Sequence, residues 1–458
     1  MRIRFALCVP LLALLACTGN GDASATPTPT PTQHARPSTA PPRATAAGYA
    51  NWPTYHGNRL RTGHAPSMAA ASGPLRVAKR YSLDGDVYAS PLVIGGRIVV
   101  ATENDSVYAI EHGHVVWRKH LGTPAPQSQL PCGNIFPLGI TGTPVYRKGL
   151  IYVAAEFGGP PRHQLYALRL STGHIVWHHT LDLSGVETKA MQQRGALTYA
   201  GGRIWVPFGG LAGDCNDYKG RVVGVRIGGA HGAIKYTVPT QREAGIWATP
   251  GAVWGGNYLF VAVGNGAATS PPYDKSDSVL SIGVHAHLHQ YFAPTTWASD
   301  NASDADLGSQ GPAVVGKWVF ADGKRGRAYV LHRYHLGGIG GAVSNLDLCV
   351  SFGGTAVVGA RVYVPCTDGV RAVRIDSTGH LHRVWHASSS IIGSPVVGGG
   401  RVWALDPGAG VLYALNPSNG NVLRQIDVGV TSRFATPALY GRRVFVPTLS
   451  GLTVVYTS

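Results

Sequence analysis

Charge is scarce in this chain: Asp, Glu, Lys and Arg make up 14% of its 458 residues. The shortage falls on the acids, 23 against 39 Lys and Arg, for a formal net charge of +16. The cations are scattered singly along strand starts rather than in runs. That argues against a nucleic-acid partner and leaves a cationic surface suited to anionic lipid. No Gly-x-Ser-x-Gly, Walker loop or dinucleotide fingerprint occurs, so hydrolase and nucleotide chemistry have no support. No Cys-x-x-Cys-His occurs either, and no covalently attached haem is expected. Long apolar runs are missing except for Phe5 to Ala16, which follows Arg2 and Arg4. That run is too short for a membrane span, and residues 1–16 read as a signal peptide.

Cysteine is sparing, six in all, and its positions are informative. Cys8 lies inside the leader and Cys17 ends it. Leu14-Leu15-Ala16-Cys17 resembles a bacterial lipobox, so cleavage before Cys17 and diacylation of its sulfur are expected; a plain secretory signal is the alternative. Residues 17–48 then carry Thr-Pro repeats followed by more Pro, Ala, Thr and Ser, a composition that builds no core and serves as an extended stalk. The remaining Cys132, Cys215, Cys349 and Cys366 form an even set in an exported chain, which permits three disulfide pairings. Cys349 and Cys366 flank a strand pair of one repeat, which favours Cys349–Cys366 and leaves Cys132–Cys215.

What the chain has in quantity is glycine, 61 residues, and 44% hydrophobic residues. They are organised as one phrase repeated eight times: a Gly-rich turn, often an Arg, then an apolar run with an aromatic. Gly96-Arg97-Ile98-Val99-Val100, Gly202-Arg203-Ile204-Trp205-Val206 and Gly400-Arg401-Val402-Trp403-Ala404 are three of the copies. β-Branched and aromatic residues after a turn signal specify a buried strand. Around that strand each repeat has the same order. Ser-Pro or Thr-Pro opens an inner strand, as at Ser90-Pro91 and Thr249-Pro250. A third strand ends in Tyr-Ala-Leu or similar, and a fourth carries Trp117, Trp177 or Trp385. The last repeat stops one strand short at Ser458, and Leu75 to Leu83 can supply the missing strand. The expectation is an all-β, eight-bladed propeller of four-stranded antiparallel blades over residues 49–458, its ring closed by an N-terminal strand.

At this point the chain resembles the quinoprotein-type propeller family. Tyr166-Ala167-Leu168, Thr172-Gly173 and Trp177 are similar to that family's tryptophan-docking repeat, and the resemblance covers nearly the whole mature domain. The family includes dehydrogenases that use pyrroloquinoline quinone (PQQ) with Ca²⁺. It also includes cofactor-free propellers such as the lipoprotein of the outer-membrane protein assembly machine. The resemblance implies roles for several residues. Trp247, before Thr249-Pro250, would be the floor beneath the quinone. Asn265, in Gly264-Asn265-Gly266, and Asp214 would be Ca²⁺ ligands, although the spacing at Asp214 is off by a residue and Asp replaces Glu. Lys324, in Gly323-Lys324-Arg325-Gly326, would touch the quinone oxygens, and Arg333 continues that match. Asp304 or Asp306 would be the base that takes the alcohol proton. The adjacent Cys-Cys pair of the alcohol dehydrogenases is missing.

Each of these positions also has a plain structural use: Asn265, Asp304 and Asp306 in turns, Trp247 in the core, Lys324 as a solvated loop cation. Two functions are therefore expected. The first is a PQQ- and Ca²⁺-dependent dehydrogenase oxidising an alcohol or sugar; the second is a non-catalytic binding propeller that scaffolds envelope proteins. Either would be monomeric, extracytoplasmic and lipid-anchored, with no nucleic-acid partner. His285-Ala286-His287-Leu288-His289 alternates, and on a strand its three rings would share one face toward solvent, a weak transition-metal candidate.

Overall fold

Positive-φ glycines at the hairpin turns let each repeated phrase double back into the next strand, and the strands assemble into eight sheets. They are seen in a computed structural model that describes residues 48–181, 185–229 and 232–458. The signal peptide, Cys17 and the linker up to residue 47 lie outside the described residues.

Each blade holds four antiparallel strands, A innermost to D outermost. Blade 1 is Leu92–Ile94, Arg97–Ala101, Ser106–Glu111 and His114–His120. Blade 4 is Val253–Trp254, Tyr258–Val263, Ser278–Gly283 and Leu288–Ala293. Blade 8 takes its three inner strands, Ala438–Tyr440, Arg443–Thr448 and Gly451–Thr457, from the end of the chain. Its outer strand is Leu75–Ser82, which pairs antiparallel with Gly451–Thr457. The inner strand of blade 8 also touches that of blade 1, so the ring is closed and its edges are paired.

The B and C strands are nearly all apolar because both faces of every sheet are covered. Separate clusters fill the gaps between adjacent blades, for example Ile204, Val206 and Phe208 of blade 3 against Tyr152 and Ala154 of blade 2. The outer-strand tryptophans close the gap at the rim. Nε1 of Trp117 donates to Leu170 O at 2.9 Å, that of Trp177 to Ile227 O at 3.2 Å, and that of Trp385 to Pro417 O at 2.9 Å, each reaching into the next blade. Cys132 bonds Cys215, and Cys349 bonds Cys366.

Alternating strand direction puts all A–B and C–D turns on one face of the ring, and all B–C and D–A loops on the other. The segment from Trp52 to Ala71 winds across the first face. It exchanges backbone hydrogen bonds with Val93 of blade 1, Tyr146 of blade 2, Trp254 of blade 4, Val357 of blade 6 and Val397 of blade 7. Trp52, Tyr55, His56 and Arg61 are buried in it. Nothing in the repeat pattern announces this segment, because it is not itself a repeat.

Candidate functional site

Segments carrying B–C and D–A loops from several blades converge on the opposite face around a cavity of about 370 Å³. Trp247, Phe352, Phe434, Asp304 and Asp306 come from D–A segments, and Asn265, Asp214 and Lys324 from B–C loops. All six residues singled out in the sequence therefore line one space. Arg333 does not; it lies at the far end of its blade, where Nη1 donates to Gly316 O at 3.2 Å.

The cavity has an aromatic wall. Phe352 and Phe434 are stacked with centroids 5.8 Å apart, and Trp247 tilts against Phe352 at 6.4 Å. Cations lie on these rings: Lys324 Nζ is 5.6 Å from the Trp247 centroid, and the guanidinium carbons of Arg194 and Arg433 are 4.5 Å from Phe434 and 4.2 Å from Phe352. The Trp247 indole and the Asp306 carboxylate both press on Gly264. The two approach so closely that a Cβ on Gly264 would sit 2.5 Å from Asp306 Oδ2 and 3.0 Å from Trp247 Nε1. Glycine is required there by space rather than by conformation.

Lys324 is the electrostatic hinge of the site. Its ammonium pairs with Asp304 and lies 3.3 Å from Asp306 Oδ1. Burial alone would lower the lysine; the two carboxylates outweigh it and hold the ammonium above its ordinary value. Asp306 is 1% exposed, and burial pushes its carboxyl up to about 6 against the lowering pull of Lys324. A carboxylate with that value alternates between acid and base near neutral pH.

Asn265 donates from Nδ2 to Asp304 Oδ1 at 2.5 Å, while its Oδ1 is buried with no partner. Asp306 Oδ1, by contrast, faces the Lys324 ammonium at 3.3 Å. The orphaned Asn265 acceptor, on a residue that lines the cavity, suits a hard cation or a donor group of a ligand. Asp214 lines the same cavity but accepts the Tyr218 hydroxyl, and burial followed by this carboxylate raises the phenol. Among the described residues no group of three or more His, Cys, Asp or Glu could hold a metal ion. Calcium takes six to eight oxygens, so an ion here would need oxygens from a bound cofactor or water as well. The disulfide Cys132–Cys215 stands near the rim, 3.5 Å from where a Gly213 Cβ would be.

The histidine alternation behaves differently from the expectation. His285 and His287 are exposed in the turn before Leu288–Ala293, where Ala286 has φ +63, and only His289 lies on the strand, stacked on Tyr258 at 4.2 Å. The turn breaks the period of two, so the three rings share no strand face.

Sequence reading missed Phe352, Phe434 and Arg194. A signal for the first two existed. Trp247 and Phe434 both stand two places before a Thr-Pro pair, as Tyr88 does before Ser90-Pro91, and Phe352 stands two places before Gly354 in the equivalent segment. That repeat position faces the axis. Arg194 belongs to no such motif.

A family model described as outer membrane protein assembly factor BamB matches residues 61–335. No curated protein matches the chain. Among solved structures, the quinohemoprotein alcohol dehydrogenase of Comamonas testosteroni is similar at 16% identity and a TM-score of 0.66, over 90% of this chain and 81% of that one. The quinohemoprotein alcohol dehydrogenase ADHIIG of Pseudomonas putida HK5 is similar at 14% identity and a TM-score of 0.68, over 89% and 80%. BamB from Moraxella catarrhalis is similar at 15% identity and a TM-score of 0.60, over 84% of this chain and all of that one. At these identities the likeness is one of fold.

Proposed function

This chain belongs to the PQQ-type propeller family of the outer membrane protein assembly factor BamB, and from that premise we propose that its pocket holds a planar quinone cofactor with Ca²⁺ and oxidises an alcohol or sugar outside the cytoplasm. The observation that carries this reading is convergence. Trp247, Asn265, Lys324, Asp304 and Asp306 are scattered along the sequence, yet they line one cavity.

The residues fit such a cofactor in outline. Trp247 offers a ring face, Lys324 and Arg194 offer cations for acidic substituents, and the orphaned Oδ1 of Asn265 is a hard ligand for Ca²⁺. PQQ, when bound, would supply the two-electron acceptor for a hydride. Asp306, deprotonated above about 6, would accept the hydroxyl proton, and Lys324 would hold its charge in place. Asp304, the more exposed of the two carboxylates, would keep Lys324 oriented. Asp214 is engaged by Tyr218 and would have to exchange that bond to reach an ion.

A second reading is a binding propeller of the cell envelope. It is favoured by the family match and by the ion pairs that join Lys324 to Asp304 and Asp306, which would stabilise the loops with no ligand at all. In both readings a cleaved signal peptide and a lipidated Cys17 would put the ring on the outer side of a membrane at the end of its stalk.

Anaerobic titration of the protein with PQQ and Ca²⁺ decides between the two. The catalytic reading expects tight, stoichiometric binding and dye reduction with some alcohol or sugar. Absence of PQQ binding by calorimetry would remove it and leave the scaffold.

A further inference from the structure

Acidic side chains are sorted almost wholly onto one face of the ring, while Lys and Arg occur on both. Of the acidic residues described, only Glu111 and Asp376 sit at A–B or C–D turns. Both are engaged: Glu111 with Arg97 at 2.5 Å and Asp376 with His382 at 2.7 Å. The other described carboxylates lie toward the B–C and D–A loops, around and beside the cavity. The segment from residue 48 to 74, which crosses the turn face, contains no acid. Every A–B turn except that of blade 4 carries Lys or Arg, and Arg147, Lys148, Lys317, Arg442 and Arg443 among them are exposed. Among the described residues, the excess of cations is therefore concentrated on this one face.

Gathering like charges costs self-repulsion, and among the described residues only Glu111 and Asp376 offset it on this face. The described chain also begins here: Tyr49 packs on Tyr440 of the blade 8 A–B hairpin at 5.7 Å, and Asn51 Oδ1 accepts from Gly95 N at 2.8 Å in the A–B turn of blade 1.

We propose that this turn face docks on an anionic lipid bilayer, which holds the cavity pointing away from the membrane. The stalk by itself sets no orientation. A Pro- and Thr-rich segment the length of residues 17–48 permits a reach on the order of 100 Å at about 3.1 Å per residue. Exposed charges interact only within about 8 Å at physiological salt. A ring of cations around the point where the stalk joins makes flat contact the favoured arrangement. The inference takes the extracytoplasmic, tethered setting from the reading above, but not its chemistry: vesicle binding does not involve the pocket, so a failed PQQ titration would leave it standing.

The test uses the unlipidated full chain (C17S) and sedimentation with vesicles of phosphatidylcholine, with and without phosphatidylglycerol. Binding is expected only with phosphatidylglycerol, and it should weaken as salt rises. Each Lys or Arg near an anionic surface is worth about fivefold in partitioning. The variant K148E/R442E should therefore lose about 20-fold or more. The variant R162E/K189E, with the same change in net charge on the loop face, should bind as the parent does. Thermal melting confirms that both variants are folded. Equal sedimentation with both vesicles, or equal losses in the two variants, would overturn the proposal. So would displacement from phosphatidylglycerol vesicles by single-stranded DNA at a lower phosphate concentration, which would show a nucleic-acid preference instead.

Discussion

Lys324 holds its ammonium 3.3 Å from Oδ1 of the buried Asp306 carboxylate. Burial has pushed that carboxyl up to about 6, and the lysine is the main influence holding it down. Replacing the lysine by an uncharged side chain of similar length (K324M) removes that restraint. The Asp306 carboxyl is expected to rise by about one unit or more. Dye reduction by the PQQ-loaded protein increases with pH as Asp306 deprotonates, so its midpoint should move upward in K324M. An unchanged midpoint would show that another group is the base.

Trp247 presents its ring to the cavity beneath Lys324. W247A should weaken PQQ binding by about tenfold, and W247F by less, because a stacked ring contributes about 1 kcal/mol beyond its area. Calorimetry of the folded variants measures both.

Arg61 ties the winding N-terminal segment to two blades. Nε donates to Pro250 O at 3.1 Å, and Nη2 to Leu197 O at 2.9 Å and Thr198 Oγ1 at 2.6 Å. The residue is 3% exposed. R61M removes the guanidinium donors from this buried seam and is expected to cost about 3 kcal/mol or more. Chemical denaturation should show a lower midpoint with an unchanged slope.

Gly173 has φ +70, and a Cβ there would lie 2.6 Å from Cε3 of Trp117 in the preceding blade. G173A combines a disfavoured backbone conformation with a clash at the seam. It should destabilise the protein by about 2 kcal/mol, whereas alanine at Gly149, with nothing within 4 Å of its Cβ, should cost less.

Burial raises Glu103 and Asp322 to about 8. A carboxyl raised in the folded state contributes stability that is complete below its unfolded value. That contribution is lost as pH climbs through the folded value. The melting temperature should therefore decline between about pH 5 and pH 9, and E103Q should flatten the decline. A profile that instead improves toward pH 9 would contradict this assignment.

The ring was legible because its evidence is repeated. Eight glycine turns before β-branched and aromatic runs, with the missing strand found at Leu75, describe the architecture before any coordinates. Trp247, Asn265, Lys324, Asp214, Asp304 and Asp306 could be named through family resemblance. That they share one cavity is a matter of loop paths, which periodicity does not encode. The tie between Asp214 and Tyr218, four residues apart in an irregular loop, left no pattern to read. His285 to His289 misled for the opposite reason: the alternation is real in the sequence, but a positive-φ turn at Ala286 cuts it. Charge sorting was invisible to composition, because a total of +16 carries no address.

Blade 8 joins Leu75–Ser82 to Gly451–Thr457, so the molecule is clasped by its two ends. Seven sheets can begin to form as the polypeptide emerges, but the eighth has no partner strand until the final residues are free. The ring therefore stays open until then, and the contacts that latch it are those of highest sequence separation, which are the slowest to find one another. Completion of the ring doubles as a checkpoint: a nascent or truncated chain lacking its last dozen residues exposes the unpaired edge of Leu75–Ser82 to quality-control proteases.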